Sequence, residues 1–387
     1  MEIGVVLSSQ YGLVKCILEH LSAFELIQTS KHVCKLWNDV TEVILRGRRR
    51  MEFFYYEGSK TLPQKKILEK VKEEFSRDFQ EFLRHDVYSV PTLGFIISSG
   101  DERQFHYSSI QNRDNYPYDD YKRLYDIFPK MRSLCVSSFD GIVTPSKEIE
   151  TRRFVLPSFT FLSFPSFQNV KIHTFDLTSK SSSNVMIKDL IPDLEEDEVI
   201  KGVIAFSSDD VLNPTLGRLI LNCMERSNKN IALAGALVSL TWCCSSTDQR
   251  PDVEMAKSNV SGFVFTGDGV QVKSIILACE VNNVREVERE LSKLEPDKYP
   301  QDVTSYAFMF ACCGRGKAHY RQESNIESST FRRLFPHTKL VGCFCGGEIG
   351  INSFSNSTKV KNMNPDNFFH SYTTVFMLIS LHNKNIC

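Results

Sequence analysis

The sequence carries no charge excess of either sign. Lys and Arg number 46 against 47 Asp and Glu, which leaves a net charge of −1. A general nucleic-acid binder needs a basic surplus to displace counterions, so no nucleic-acid partner is expected. No uncharged apolar run reaches the ~20 residues of a bilayer span, so no membrane role is expected. The start, Met1-Glu2-Ile3-Gly4, has no basic stretch leading into an apolar core, and no secretory leader is expected. The 12 cysteines are then expected as reduced thiols of the cytosol or nucleus. The acceptor patterns at Asn259 and Asn356 should be silent there. Also missing are a His-x-x-x-His pair, a glycine-rich phosphate loop before a helix, and a repeated Cys-x(2–4)-Cys spacing. The pairs Cys243-Cys244, Cys312-Cys313 and Cys343-x-Cys345 fit zinc poorly, and adjacent strand residues face opposite ways. No metal and no cofactor are expected.

What is present is the mix of an ordinary folded protein, 42% hydrophobic and 24% charged. Residues 5–50 read as three short helices. Leu13, Ile17 and Leu21 recur at four-residue steps, with Val14 and Leu18 beside them. A second helix follows Ser22 and carries Leu26 and Ile27. A third runs from Val33 through Trp37, Val40 and Ile44 into Arg46-Gly47-Arg48-Arg49-Arg50, cations suited to exposed helix carbonyls. So short a segment buries little by itself. Leu18, Leu21, Leu26, Ile27, Val33 and Trp37 are the apolar groups a partner would cover, at about 1.5–3 kcal/mol each.

Residues 51–90 hold a connecting helix, with Ile67, Leu68, Val71, Phe75, Phe79, Phe82 and Leu83 on one face. From 91 onward strands and helices alternate. Strands are expected at 92–98, 132–138, 199–206, 231–237, 306–312, 339–344 and 372–381. Helices are expected at 119–128, 213–226, 283–294 and 325–335. Residues 260–266 and 270–277 flank Gly267-Asp268-Gly269, a loop with hairpin chemistry. Several strands are apolar on both faces, which suggests sheets packed together with helices outside. Phe128-Pro129 and Phe335-Pro336 each end a helix shortly before a strand. A duplication would produce this pattern, and two related halves, 91–230 and 231–387, are expected.

Two glycine-bearing turns carry candidate chemistry. Cys312-Cys313-Gly314-Arg315-Gly316 ends one strand, and Gly342 to Gly350, including Gly346 and Glu348, follows another. If they meet, Arg315 suits an anionic group and Glu348 a cationic one, as an amino acid or chain terminus would present. The bland alternative pairs Arg315 with Glu348. A thiol enzyme is a third possibility, with Cys313 activated by Arg315 and His319 or His370 as base.

Two resemblances follow from these residues. Ile17-Leu18-Glu19-His20-Leu21, Glu25-Leu26-Ile27 and Val33-Cys34-Lys35-Leu36-Trp37 resemble an F-box. Phe-x-x-x-Cys-x-Gly-Arg-Gly over 308–316, Gly347-Glu348-Ile349-Gly350 and Phe369-His370-Ser371-Tyr372-Thr373-Thr374 resemble FIST domains, which are proposed small-ligand sensors. The expected class is α+β: a three-helix F-box, then a large mixed α/β FIST-like region. The resemblance implies a non-catalytic substrate receptor of an SCF ubiquitin ligase, cytoplasmic and nuclear. It would bind Skp1 through Leu18, Leu21, Leu26, Ile27, Val33 and Trp37, and through Skp1 the cullin and RING subunits. Protein substrates would be captured for proteasomal degradation. The alternative is an amino-acid-like ligand sensor using Cys312, Cys313, Arg315, Gly316, Gly346 and Glu348.

Overall fold

The computed structural model describes residues 4, 7, 9–57, 65–99, 127–128, 130–138, 140–150, 158–177, 187–208, 213–227, 231–244, 256–295, 303–354 and 364–382. The first α-helices with described bounds are α1 (Tyr11–Leu18), α2 (Ala23–Gln28) and α3 (Lys35–Gly47). Ser22 starts α2 with a reciprocal cap. Its hydroxyl accepts from the Glu25 N–H, and the Glu25 carboxylate accepts from the Ser22 N–H. Val14, Leu18, Leu26, Val40 and Ile44 close a small core among the three helices.

After Gly47 one structural unit occurs three times. The first has β1 (Glu52–Tyr56), α4 (Lys65–His85), β2 (Pro91–Ser99), β3 (Arg132–Ser138), β4 (Gly141–Val143), β5 (Glu148–Glu150) and β6 (Ser158–Pro165). The second has β7 (Lys171–Leu177), α5 (Ile187–Leu190), β8 (Ile200–Ser207), α6 (Asn213–Ser227), β9 (Ala232–Leu237), β10 (Leu240–Cys244), β11 (Ala256–Ser258) and β12 (Val260–Thr266). The third has β13 (Val270–Leu277), α7 (Val284–Leu291), β14 (Val303–Cys312), α8 (Ile326–Leu334), β15 (Lys339–Cys345), β16 (Gly347–Gly350), β17 (Phe369–His370) and β18 (Thr374–His382). Corresponding strands β2, β8 and β14 begin at Pro91, Ile200 and Val303, roughly a hundred residues apart.

Three six-stranded sheets result, ordered β1-β6-β2-β3-β10-β11, β7-β12-β8-β9-β16-β17 and β13-β18-β14-β15-β4-β5. Each has one parallel pair at its centre, β2 with β3, β8 with β9, β14 with β15. Each unit also sends one strand pair to a neighbour's sheet. β4–β5 completes the third sheet, β10–β11 the first and β16–β17 the second. The exchange is cyclic, so no unit has a complete sheet by itself.

The inner faces of the three sheets share one core. Phe95 of β2 lies 5.4 Å from Phe206 of β8 and 5.9 Å from Phe308 of β14, ring centre to ring centre. The outer faces are covered by helices of the same unit: α4 over the first sheet, α6 over the second, α7 and α8 over the third. This is the layering that doubly apolar strands imply.

Two expectations need correction. Two halves meeting at 230/231 are expected, whereas the unit described above occurs three times and that boundary falls between α6 and β9. The strands flanking Gly267-Asp268-Gly269 form as expected but do not pair. β12 pairs with β7 and β8, and β13 with β18. The glycines serve close packing instead. Gly267 sits at φ +101°, and a Cβ there would lie 2.2 Å from the Asn169 carbonyl at the preceding unit junction. The helix expected at 119–128 lies outside the described residues except at its end.

Helix α4 follows its periodicity. Phe75, Phe79, Phe82 and Leu83 are buried, against Phe54, Phe159 and Phe161 of the first sheet. Ala23 of α2 joins the same cluster. Phe79→Ala should therefore destabilise the chain by about 3–5 kcal/mol in urea unfolding; a loss near zero would contradict this packing.

Candidate functional site

The two glycine-bearing turns meet at the carboxyl ends of β14 and β15, where Cys312 and Cys345 are register partners. The segment entering β18 closes the site. The Cys312 N–H donates to the Thr373 carbonyl at 3.0 Å. Glu348, on β16, is fully buried; its carboxylate accepts from the Thr373 N–H at 3.1 Å and the Thr373 hydroxyl at 2.7 Å. The Cys345 thiol faces its other oxygen at 3.7 Å. Burial pushes the Glu348 carboxyl up to about 7, against the lowering effect of the Thr373 bonds.

Arg315 has a different partner from both that were anticipated. It is 2% exposed, and its Nε and Nη2 donate to Glu327 Oε1 at 2.9 and 2.6 Å. Nη1 donates to the Ala278 carbonyl, and Nη2 also reaches the Tyr320 hydroxyl. The Tyr320 hydroxyl in turn donates to Glu327. The guanidinium is thus committed inside the third unit, tying the turn to α8 and to the end of β13. The amino-acid-like reading required it free, and Glu348 faces Thr373 instead. Sequence reasoning missed Glu327, although a signal was present. Glu327 precedes Phe331 by one helical step, on the buried stripe of α8, and a carboxylate there requires a cation.

Gly316 is explained by the first unit. The Glu150 carboxylate passes 2.5 Å from where a Cβ would stand and accepts from the Lys317 N–H at 2.8 Å. Glu148 likewise accepts from the Ser328 N–H in the first turn of α8. Gly346 is different, with no heavy atom within 4 Å of a Cβ position. Near these turns, Tyr372 is 67% exposed at φ +59°, and its ring lies against Gly314.

Burial works against thiolate formation at Cys313, Cys343 and Cys345. Cys312 is buried and Cys313 exposed. Partial burial, then Asp140 and Cys312, push Cys313 up to about 11, the opposite of the lowering expected from Arg315. Burial also raises Cys343 and Cys345. His319 and His370 bond backbone carbonyls, of Val281 and Gly350. Among the described residues no cluster of three or more His, Cys, Asp or Glu is placed to hold a metal ion.

The six apolar residues of the F-box divide. Leu18 and Leu26 lie in the module's own core, with Leu21 and Trp37 partly buried against it. The Trp37 indole N–H donates to the Leu7 carbonyl at 2.8 Å. Ile27 packs on the aromatic cluster under α4. Val33 is 55% exposed, and Tyr11, Leu13, Ile17 and Val43 join it. Leu13 and Ile17 thus stand about 100° round α1 from the buried stripe of Val14 and Leu18. Among the described residues no helix is long and apolar enough to cross a membrane.

These features define a class: three helices that fit an F-box, seated on a region that matches the FIST C domain family over residues 256–351. The particular relatives run nearly end to end. The chain is 27% identical over 402 residues to F-box only protein 22 of Pongo abelii, covering 97% of this chain and 94% of that protein. It is 27% identical over 398 residues to F-box only protein 22 of Homo sapiens, with the same coverage. It is a divergent relative of these proteins. Among solved structures, a "cyanuic acid hydrolase from A. caulinodans" overlaps 87% of this chain and 99% of that one, at 8% identity and a TM-score of 0.33.

Two predictions follow from the site. Arg315→Met leaves Glu327 buried without its cation and should cost about 3–5 kcal/mol; wild-type stability in urea unfolding would contradict the pairing. Glu348 binds its proton more tightly folded than unfolded, so its contribution falls as pH rises from about 4.5 to about 7. Glu348→Gln should gain on the wild type by on the order of 1–3 kcal/mol at pH 8 relative to pH 5. Parallel stability curves for the two chains would contradict it.

Proposed function

We propose that this chain is the substrate-recognition subunit of an SCF ubiquitin ligase, acting in the cytoplasm and nucleus. The F-box binds Skp1, and Skp1 brings the cullin and RING subunits. The FIST-bearing region holds protein substrates, which are ubiquitinated and passed to the proteasome. The mechanism is proximity: a held substrate meets the ubiquitin-loaded enzyme at high effective concentration, with no bond chemistry in this chain.

One observation carries the reading. The F-box closes its own core and still leaves Tyr11, Leu13, Ile17, Val33 and Val43 exposed, half of the ten exposed large apolar residues among those described. Exposed large apolar groups concentrated in one short segment of the chain suit a surface that another protein covers. The end-to-end similarity to F-box only protein 22 supports the same reading.

The test must spare the module's core, so Leu26 and Leu18 are unsuitable. Ile17→Asp with Val33→Asp changes exposed positions and should shift the chain's own stability by only about 0.5 kcal/mol each. Covering each apolar group contributes up to about 1.5–3 kcal/mol, so Skp1 affinity should fall more than about tenfold. Undiminished co-purification of the double variant with Skp1 would reject the docking assignment.

A further inference from the structure

The basic run that ends α3 does more than complement helix carbonyls. Arg48 follows the last residue of α3 in an extended conformation, φ −80° and ψ 127°. Its Nη2 donates to the Glu19 carbonyl at 2.9 Å, just past α1. Its Nη1 donates to the Tyr88 carbonyl at 3.0 Å, in the link between α4 and β2. The guanidinium also stands over the Tyr88 ring, 5.5 Å from its centre. One planar fork therefore joins the ends of two F-box helices to the first unit of the sheet region.

The seat around it is built to match. The Ala23 N–H donates to the Val87 carbonyl at 2.8 Å, the Ser22 hydroxyl donates to the Arg84 carbonyl, and the Arg50 N–H donates to the Ser89 hydroxyl at 2.9 Å. Arg84 stands over the Phe24 ring. Helix α4, Lys65–His85, provides this seat: its last turn and the residues after it supply every one of these contacts.

We propose that Arg48 is a positioning residue that fixes the angle between the F-box and the three-sheet region, and so fixes where that region stands relative to the ligase. The first part depends on the geometry alone; the second rests on the ligase reading. Lysine is not an adequate substitute, because a compact ammonium lacks the planar fork that spans two carbonyls while stacking on a ring.

The test places spin labels, on encoded non-natural residues, at the exposed positions Gln28 and Asp268 of the full chain. The wild-type background should give one narrow distance distribution. Arg48→Ala and Arg48→Lys should both broaden it while circular dichroism and Skp1 affinity stay unchanged. Should the alanine variant misfold, the lysine variant decides. Distributions that superimpose on wild type overturn the proposal. In the ligase reconstituted with Skp1, cullin and RING subunits, self-ubiquitination of Arg48→Lys should spread to lysines left unmodified in wild type. An identical set of modified lysines overturns the second part. Failure of the wild-type chain to assemble with Skp1 would reject the ligase reading, while the distance measurement still decides the role of Arg48.

Discussion

Phe95, Phe206 and Phe308 meet where strands from the three units come together, and the arrangement of the large region depends on that contact. Inner faces that share an apolar core leave three outer faces to be covered, and each unit covers its own with helices. The strands are consequently apolar on both sides. The exchange of strand pairs between units has the same origin: a sheet completed by its neighbour leaves fewer bare edges and links the three units through backbone hydrogen bonds. Removing the first unit would strip β4–β5 from the third sheet and leave β10–β11 of the second unit with no sheet to join.

The polar groups inside this frame are bound to each other. Arg315, Glu327 and Tyr320 bond one another within the third unit, and Arg315 Nη1 also donates to the Ala278 carbonyl. Glu348 is held by Thr373. Glu148 and Glu150 of the first unit engage the Gly316 turn and α8, so the pair β4–β5 joins the third unit by side chains as well as by its strand. Buried charges are tolerable only when paired and hydrogen-bonded, and this pairing accounts for the glycine and arginine spacing that made the turns stand out. The F-box is built on the opposite plan. It spends Val14, Leu18, Leu26, Val40 and Ile44 on a core of its own and turns Tyr11, Leu13, Ile17, Val33 and Val43 outward.

Much of the fold was legible because local patterns are set by local burial. The strands at 132–138, 260–266 and 270–277 were read at their observed bounds, since each is an apolar run between turn residues. Strand partners were not legible. Gly267-Asp268-Gly269 has the composition of a hairpin turn, and only the distant Asn169 reveals why the strands part. β4 and β5 are three residues each, too short to show a period, so the exchange between units and the count of three stayed hidden. For the F-box, leucine spacing identified the helices but not which stripe faces inward. Val14 with Leu18 and Leu13 with Ile17 have the same spacing, and only packing separates them. At the turns, glycines beside Arg315 suggested an exposed guanidinium, whereas the partner that buries it lies twelve residues on.

Hydrogen exchange of the full chain, with and without Skp1, tests most directly whether the first helices keep their own core and offer the outward stripe to a partner. The account predicts slow exchange of the buried turns of α1 and α3 in the free chain, and added protection over 11–17 and 33–43 when Skp1 is present, with the three-sheet region unchanged. Fast exchange of α1 and α3 in the free chain, or protection that appears only outside the first 47 residues, would contradict it.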